Sequence, residues 1–576
     1  MKIKHFFGLA VIAAMAASCS SNEDLGTAGP GTGEAGVGYA TFTINLPSVS
    51  GTRADAGGAE MNEGTEEEYA VKSATALIFQ KYGSDEGSYK FVESVTLPID
   101  GWTDDPTDGI TTTSKKLVAK LTNVDTKNDY SVLILLNNKN VKLPTVGQSY
   151  NDWNSKNILT PSVTDWAGSD GFYMANAPLK GSAASPATLV PIDKDKIYAS
   201  EAKAKEDAST CAATVYVERG VAKMTVADPG TITVKDKATN TDTESTVKFS
   251  NWALDITNKK TYAVHNIDDL KSDFGDIWKT DPSNRFIGTN NRVYWGKDPN
   301  YDNNDLKLTD KDAERQAEFN FITATSEINK DFTNATITKP VYCLENTFNL
   351  ANMYQGQTTR VIFKAKYTPK DGLAETDGTF YTIGNMTTIL KKADLKTVVD
   401  AAADAVLPGC VVDYKNLEKE GSHVITLEDI KENASSTTHL DKDATYGTSS
   451  KTGAQIVKDI NDKLGLTDGG GRDEAKVGIN TYLNGVTYYI ARVKHFGSLT
   501  PWNSGESYGT DNGKYLGRYG MLRNNWYELK VGSVYGPGYP GVPPVDPTLP
   551  DDENEKYLSV SVKILSWAKR SDTVDL

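Results

Sequence analysis

The chain has 576 residues and a formal net charge of -15, with 61 Lys and Arg against 76 Asp and Glu. That length suits two domains with insertions better than one, and the acidic balance gives a nucleic-acid partner no electrostatic support. Glycine, asparagine, threonine and tyrosine are plentiful and long helical patterns are few, which favours an all-β architecture with many turns.

The first element in chain order is an export signal. Lys2 and Lys4 supply a positive n-region, Phe6 to Ala17 forms a short apolar run, and small residues lead to Cys19. The stretch Ala16-Ala17-Ser18-Cys19 resembles a lipoprotein signal-peptidase box, in which the cysteine is acylated, with Ala16 where leucine is usual. Glu23 and Asp24 resemble the acidic surface-export tag of Bacteroidetes lipoproteins. An acylated cysteine attaches a protein to a membrane without spanning it. No later segment is apolar for long enough to cross a bilayer as a helix.

Residues 20–38 read as a flexible stalk rich in Gly, Ser and Thr. In the strand expected at 39–47, Ala40, Phe42, Ile44 and Leu46 alternate with Thr41, Thr43 and Asn45, the pattern of a strand with one buried face. Residues 48–68 hold Arg53 and Ala54 and run through Glu66-Glu67-Glu68; their composition predicts an exposed, protease-sensitive segment. Further strands are expected at 74–79, 130–136, 215–224 (a pair near a domain junction), 248–256, 361–367 and 488–493. Inserted helices are expected at about 387–405 and 454–464, the second with Ile456, Val457, Ile460 and Leu464 on one face and Gly465 as its stop.

The segment 536–556 is proline-rich and reads as an extended tether. At about 3.1 Å per residue it could reach a neighbouring subunit. Beyond it, Leu558, Val560, Val562 and Ile564 alternate with Ser559, Ser561 and Lys563, the same pattern as the strand at 39–47. Two matching strands, one disposable and one on a leash, suggest a subunit that polymerises by lending a strand to its neighbour. The bland alternative makes the second of them simply the last strand of the second sandwich.

Catalytic and metal motifs have little support. Gly505-Glu506-Ser507-Tyr508-Gly509 fits G-x-S-x-G, but turn-forming residues flank it and no histidine follows it, so a nucleophile elbow is not expected. The histidines, including His265, His423, His439 and His495, are scattered. The cysteines after Cys19, namely Cys211, Cys343 and Cys410, form neither a disulfide framework nor a metal motif. Asp298, Asp302 and Asp305 lack the glycine and terminal glutamate of an EF-hand loop, and Gly469-Gly470-Gly471 lacks the lysine of a phosphate loop. The expectation is a protein that is not an enzyme, with no cofactor and no metal.

Several stretches, in this order, resemble the Bacteroidales fimbrillins (type V pilins), specifically the branch of the short-fimbria Mfa-type major subunit. They are the box at Cys19 and the early arginine; Arg219-Gly220-Val221-Ala222-Lys223; Tyr342-Cys343-Leu344-Glu345-Asn346-Thr347; Lys364-Ala365-Lys366-Tyr367; Tyr519 to Tyr527; Val531-Gly532-Ser533-Val534; and the ending from Tyr557 to Trp567. The resemblance implies two tandem transthyretin-like β-sandwich domains, export as a lipoprotein through Cys19, and cleavage by an Arg-specific surface protease between Arg53 and Ala54. It also implies loss of the placeholder strand and polymerisation by donor-strand exchange. The partners implied are identical subunits and accessory tip and anchor subunits at the cell surface, with the precursor lipid-anchored in the outer membrane. An adhesion role follows from the family alone, and its ligand is open.

The expected organisation is therefore signal peptide 1–19, propeptide 20–53, N-terminal sandwich 54–228, C-terminal sandwich 229–535 with helical insertions, tether 536–556 and donor strand 557–576. The alternatives are a monomeric surface-anchored lipoprotein that binds glycan or host protein, a tip or anchor fimbrial subunit, and, most remotely, a hydrolase.

Overall fold

The computed structural model describes residues 37–47, 61–62, 64–99, 114–125, 127–180, 186–206, 210–268, 293–302, 304–332, 339–384, 386, 388–448, 450–468, 477–495, 515–552 and 558–567. Cys19, Arg53, Ala54, Ser507 and the triple glycine lie outside the described residues, as do most of the stalk and the segment 48–60.

The chain is mostly β. Its first large sheet contains β1 (Gly38–Asn45), β2 (Ala74–Gln80), β3 (Lys90–Thr96), β4 (Ser114–Leu121), β5 (Tyr130–Leu136), β6 (Met174–Asn176) and β7 (Cys211–Arg219). They are ordered β3-β2-β5-β6-β7-β1-β4, and Val190–Ile192 pairs with β5 off that path. The two ends of the path meet: the Glu93 carboxylate on β3 accepts the backbone N–H groups of Thr122 and Asn123, just past β4, at 2.9 and 3.0 Å. The sheet thus curls around one apolar core. Every residue of β5 is buried, as its unbroken apolar run implies for a strand covered on both faces.

The second core lies between two sheets. One is formed by β8 (Ala222–Val226), β11 (Val341–Cys343), β14 (Asn525–Val534) and β15 (Leu558–Trp567), in the order β11-β8-β14-β15, with Met61–Asn62 beside β15. The other, ordered β9-β10-β12-β13, is formed by β9 (Thr231–Lys235), β10 (Asp242–Asp255), β12 (Arg360–Thr368) and β13 (Val486–Arg492). Met224, Tyr527, Leu529 and Val531 from the first meet Val247, Phe249, Phe363 and Tyr489 from the second in one buried cluster, the packing of a β-sandwich.

Helices are inserted between these strands, as expected. Helix α1 (Lys392–Asp404) buries Leu395, Val399 and Ala403, and α2 (Gly453–Leu464) buries Ile456, Ile460 and Leu464. Their spacing of four places each set on one helical face. Helix α2 starts at a reciprocal cap, in which Thr452 Oγ1 accepts from Gln455 N and Gln455 Oε1 accepts from Thr452 N, and ends at Gly465 with φ 67°. Both helices pack with Phe380–Ile383 and Ile479–Tyr482 around a third apolar cluster.

Two expectations need correction. Glu68, at the end of the segment expected to be exposed, is wholly buried, and its carboxylate lies 2.7 Å from the equally buried Lys223 ammonium. The extended tether expected from residue 536 instead lies bound along its own subunit over 536–552. The Arg360 guanidinium donates to the carbonyls of Pro543 and Pro544 at 2.7 and 3.1 Å. The Tyr489 and Tyr482 hydroxyls donate to Gly536 O and Gly538 O, Val545 sits in an apolar cluster, and Arg518 pairs with Asp552 at 2.7 Å. Prolines leave carbonyls without matching N–H groups, and a nearby guanidinium and phenols supply the missing donors.

Candidate functional site

The site begins with the backbone around β1. Along its whole length β1 is antiparallel to β4, from Gly38 opposite Leu121 to Asn45 opposite Ser114. On its other edge it is parallel to β7, with Phe42, Thr43, Ile44 and Asn45 opposite Ala213, Thr214, Val215 and Tyr216, and with an irregularity between Thr41 and Phe42. Tyr39 and Tyr198 exchange two further backbone hydrogen bonds, of 2.7 and 2.9 Å. A strand that reaches the sheet from the chain's extreme N-terminus therefore sits between two others.

Its side chains divide by face. Ala40, Phe42 and Ile44 are 0% exposed and Leu46 is 4% exposed, all within the N-terminal core. On the other face, Thr41 is also buried, because the helical turn Glu201–Ala204 lies over it and Ala204 O accepts its hydroxyl. The Thr43 hydroxyl is 3.0 Å from Cys211 Sγ, and Asn45 Nδ2 donates to Val215 O at 3.3 Å. Thr43 and Asn45 are only partly buried. Thr41, Thr43, Cys211 and the Ala204 carbonyl escape a reading of the apolar positions alone. The alternating hydroxyls in the sequence were the signal for them.

The C-terminal strand has a different seat. β15 runs antiparallel to β14, with Leu558, Val560, Val562 and Ile564 opposite Val534, Val531, Leu529 and Tyr527. On its other edge, among the described residues, only Met61–Asn62 pairs with it, at Ser566 and Trp567. In the free chain β15 thus closes its own subunit's second sheet.

The two seats are physically continuous. β7 passes through Gly220 into β8, which pairs with β14, the strand that holds β15. A Cβ on Gly220 would lie 2.6 Å from the Trp166 ring, so only glycine permits this approach. A buried polar joint surrounds the crossing. Lys223 Nζ bonds the Glu68 carboxylate and lies 3.6 Å from the centre of the Trp526 ring, and the Tyr342 hydroxyl also donates to Glu68. Arg219 Nε donates to Glu68 O at 2.7 Å, and Asn524 Oδ1 accepts from the Arg219 backbone. Arg523 pairs with Glu345 at 2.9 Å, while His265 Nδ1 is 2.9 Å from Glu218 Oε1. Burial draws the Lys223 ammonium down to about 8, and Glu68 opposes that shift. Three stretches far apart in sequence, around 219–223, 342–347 and 519–527, thus meet at one place.

The remaining polar candidates occupy structural positions. Asp298 accepts from the backbone N–H of Asn300 and of Thr347 and from the side-chain amides of Asn258 and Asn300; burial pushes its carboxyl up to about 7. His495 Nδ1 is 2.7 Å from the Tyr527 hydroxyl, His423 Nε2 is 2.8 Å from Lys419 O, and His439 lies near Asp413. Among the described residues, no group of three or more His, Cys, Asp or Glu side chains is placed to hold a metal ion.

Residues 480–573 match a family model described as "Major fimbrial subunit protein type IV, Fimbrillin, C-terminal". The matched region contains β13, β14, the bound segment 536–552 and β15. No curated protein matches the chain. Similar solved structures include a candidate cell adhesion protein from Parabacteroides distasonis, at 10% identity and TM-score 0.39, covering 92% of this chain and 97% of that one. A fimbrial assembly protein from the same organism is 13% identical with TM-score 0.25, covering 57% of this chain and 81% of that one. The C-terminally truncated tip fimbrial protein Mfa3 from Porphyromonas gingivalis is 9% identical with TM-score 0.28, covering 92% and 100%.

Proposed function

We propose, for a chain whose C-terminal region is that of the fimbrillins, that it is a structural stalk subunit of a surface fimbrium. In this reading it is exported as a lipoprotein through Cys19, and an Arg-specific protease cuts between Arg53 and Ala54. The cut severs β1 from the rest of the chain. β1 leaves the edges of β4 and β7, and the C-terminal strand of the next subunit takes its place. Subunits joined head to tail without closure form a filament. The subunit supports adhesion, and the tip and anchor positions belong to other chains.

The observation that carries this reading is the seat of β1. A strand joined to the remainder only through 48–60 holds two sheet edges and fills the core with four apolar side chains. Its departure would open a slot of matching shape and leave two edges with unpaired N–H and C=O groups, a strong demand for another strand. Refilling four such apolar positions is worth about 6–12 kcal/mol as an upper estimate. The pattern at Leu558, Val560, Val562 and Ile564 supplies a suitable strand.

The full-length precursor treated with an Arg-specific protease tests this. Mass spectrometry should find a new N-terminus at Ala54, and electron microscopy should find filaments. An intact lipidated monomer recovered from the cell surface, unable to assemble after the cut, would support a surface-anchored binding protein.

A further inference from the structure

We infer that the slot accepts the incoming strand in a single direction and register, with Leu558 at the position of Ala40 and Ser561 at the position of Thr43. The inference rests on the strand-exchange reading above and adds which residue replaces which.

The inward positions decide most of it. The places of Ala40, Phe42, Ile44 and Leu46 are 0–4% exposed, so each needs an apolar occupant. Pairing Ala40 with Leu558 puts Leu558, Val560, Val562 and Ile564 there. A one-residue slip turns every apolar side chain to the wrong face. Sliding by two in one direction puts Lys556 at the place of Ala40, and in the other direction puts Ser566 at the place of Leu46. Leucine for alanine adds about the volume that valine for phenylalanine and valine for isoleucine together remove at the next two inward positions, so the total volume is nearly conserved. The match runs back to Tyr557 at Tyr39 and ends with Lys556 at Gly38, the first residue of β1.

The other face agrees. In this register Ser559 falls on Thr41, where Ala204 O accepts a hydroxyl under the turn Glu201–Ala204. Ser561 falls on Thr43, beside Cys211, and Lys563 falls on Asn45, which is partly exposed. The same span reversed residue for residue would put the Lys563 ammonium at the place of Thr41, which is 3% exposed. A reversed strand would also have to exchange the parallel pairing to β7 with the antiparallel pairing to β4, two different hydrogen-bond patterns. Hydroxyls on the outward face and four apolar side chains on the inward face therefore read the donor together.

The native Cys211 makes this testable. In the uncleaved precursor, Thr41→Cys, Thr43→Cys and Asn45→Cys, each oxidised with diamide, calibrate which slot position links to Cys211. Thr43→Cys should dominate, because its side chain is the one in contact with Sγ. In filaments, Ser559→Cys, Ser561→Cys and Lys563→Cys should reproduce that order between subunits. The Ser561→Cys ladder on a non-reducing gel should be about tenfold stronger than that of Lys563→Cys, since disulfide geometry is restrictive, and it should vanish in a Cys211→Ser background. An order displaced by two positions, or dominance by Lys563→Cys, would overturn the register while leaving strand exchange intact. Filaments that need residues 558–576 yet show no Cys211 link at any of the three positions would overturn the assignment of this slot. Filaments that form without those residues would overturn the strand-exchange reading itself.

Discussion

β1 and β15 carry the same alternation of apolar and hydroxyl-bearing residues but occupy seats of unequal quality. β1 is paired along its whole length on one edge and from Thr41 to Asn45 on the other, and its four inward side chains are buried in the N-terminal core. β15 has β14 on one edge and, among the described residues, only Met61–Asn62 at the far end of the other. A strand moving from the second kind of seat to the first would gain the second edge that β7 offers from the place of Thr41 to that of Asn45. On the proposed exchange, β15 would be the stored strand and the seat of β1 the place contested. It also gives the precursor a reason to keep β1: an empty slot would present two sheet edges to any passing chain.

The largest way to disturb the comparison is at the joint between the two seats. Lys223→Met should destabilise the folded chain by about 3–5 kcal/mol in chemical denaturation, because it leaves the Glu68 carboxylate buried without its ammonium. Both seats should loosen together, since β7 and β8 flank the joint. Phe42→Ala should cost about 3–5 kcal/mol in the precursor by emptying part of the N-terminal core. If β1 is shed on maturation, as proposed, the same substitution should leave filaments unchanged; filaments weakened by it would mean that β1 stays.

Smaller effects sharpen the contrast. Thr41→Val removes the hydroxyl donated to Ala204 O and should cost the precursor about 1 kcal/mol, Thr210 being a second donor to that carbonyl. Thiol labelling should report occupancy of the slot. Burial pushes Cys343 up to about 12, and burial with Asp404 and Asp400 pushes Cys410 up to about 11, so both should react slowly with iodoacetamide at neutral pH. Cys211, covered in part by Thr43, should react faster once β1 is released and slow again on assembly, followed by peptide mapping.

Much of the fold was legible because burial imposes periodicity. The strand at 130–136 has the limits its apolar run suggested, and α2 lies one residue from its expected start, with the expected glycine stop. Both matching strands could be read from alternation alone. What could not be read depended on partners distant in sequence. Glu68 looked solvated because it ends an acidic run; the ammonium and hydroxyl that hold it come from Lys223 and Tyr342, across the fold. The segment 536–552 looked free because prolines stiffen a chain without showing what it lies against, and Arg360, nearly two hundred residues earlier, holds it. Ala204 O and Cys211 belong to the slot for the same reason: a carbonyl and a thiol acquire a role only once β7 and the turn before it are folded beside β1.

The binding of 536–552 also changes how exchange would work. If that segment stays on its own subunit through Asp552, the part that crosses begins after the Arg518–Asp552 pair. Neighbouring subunits would then be joined by a short crossing rather than a long leash, and their spacing would be closely fixed.

The most direct measurement compares the full-length precursor with one lacking residues 558–576 after cleavage by an Arg-specific protease, using electron microscopy for assembly and Cys211 labelling for the slot. The account expects filaments with a protected thiol from the first, and unassembled subunits with a reactive thiol from the second. Equal filaments from both would show that the C-terminal strand is not what joins the subunits.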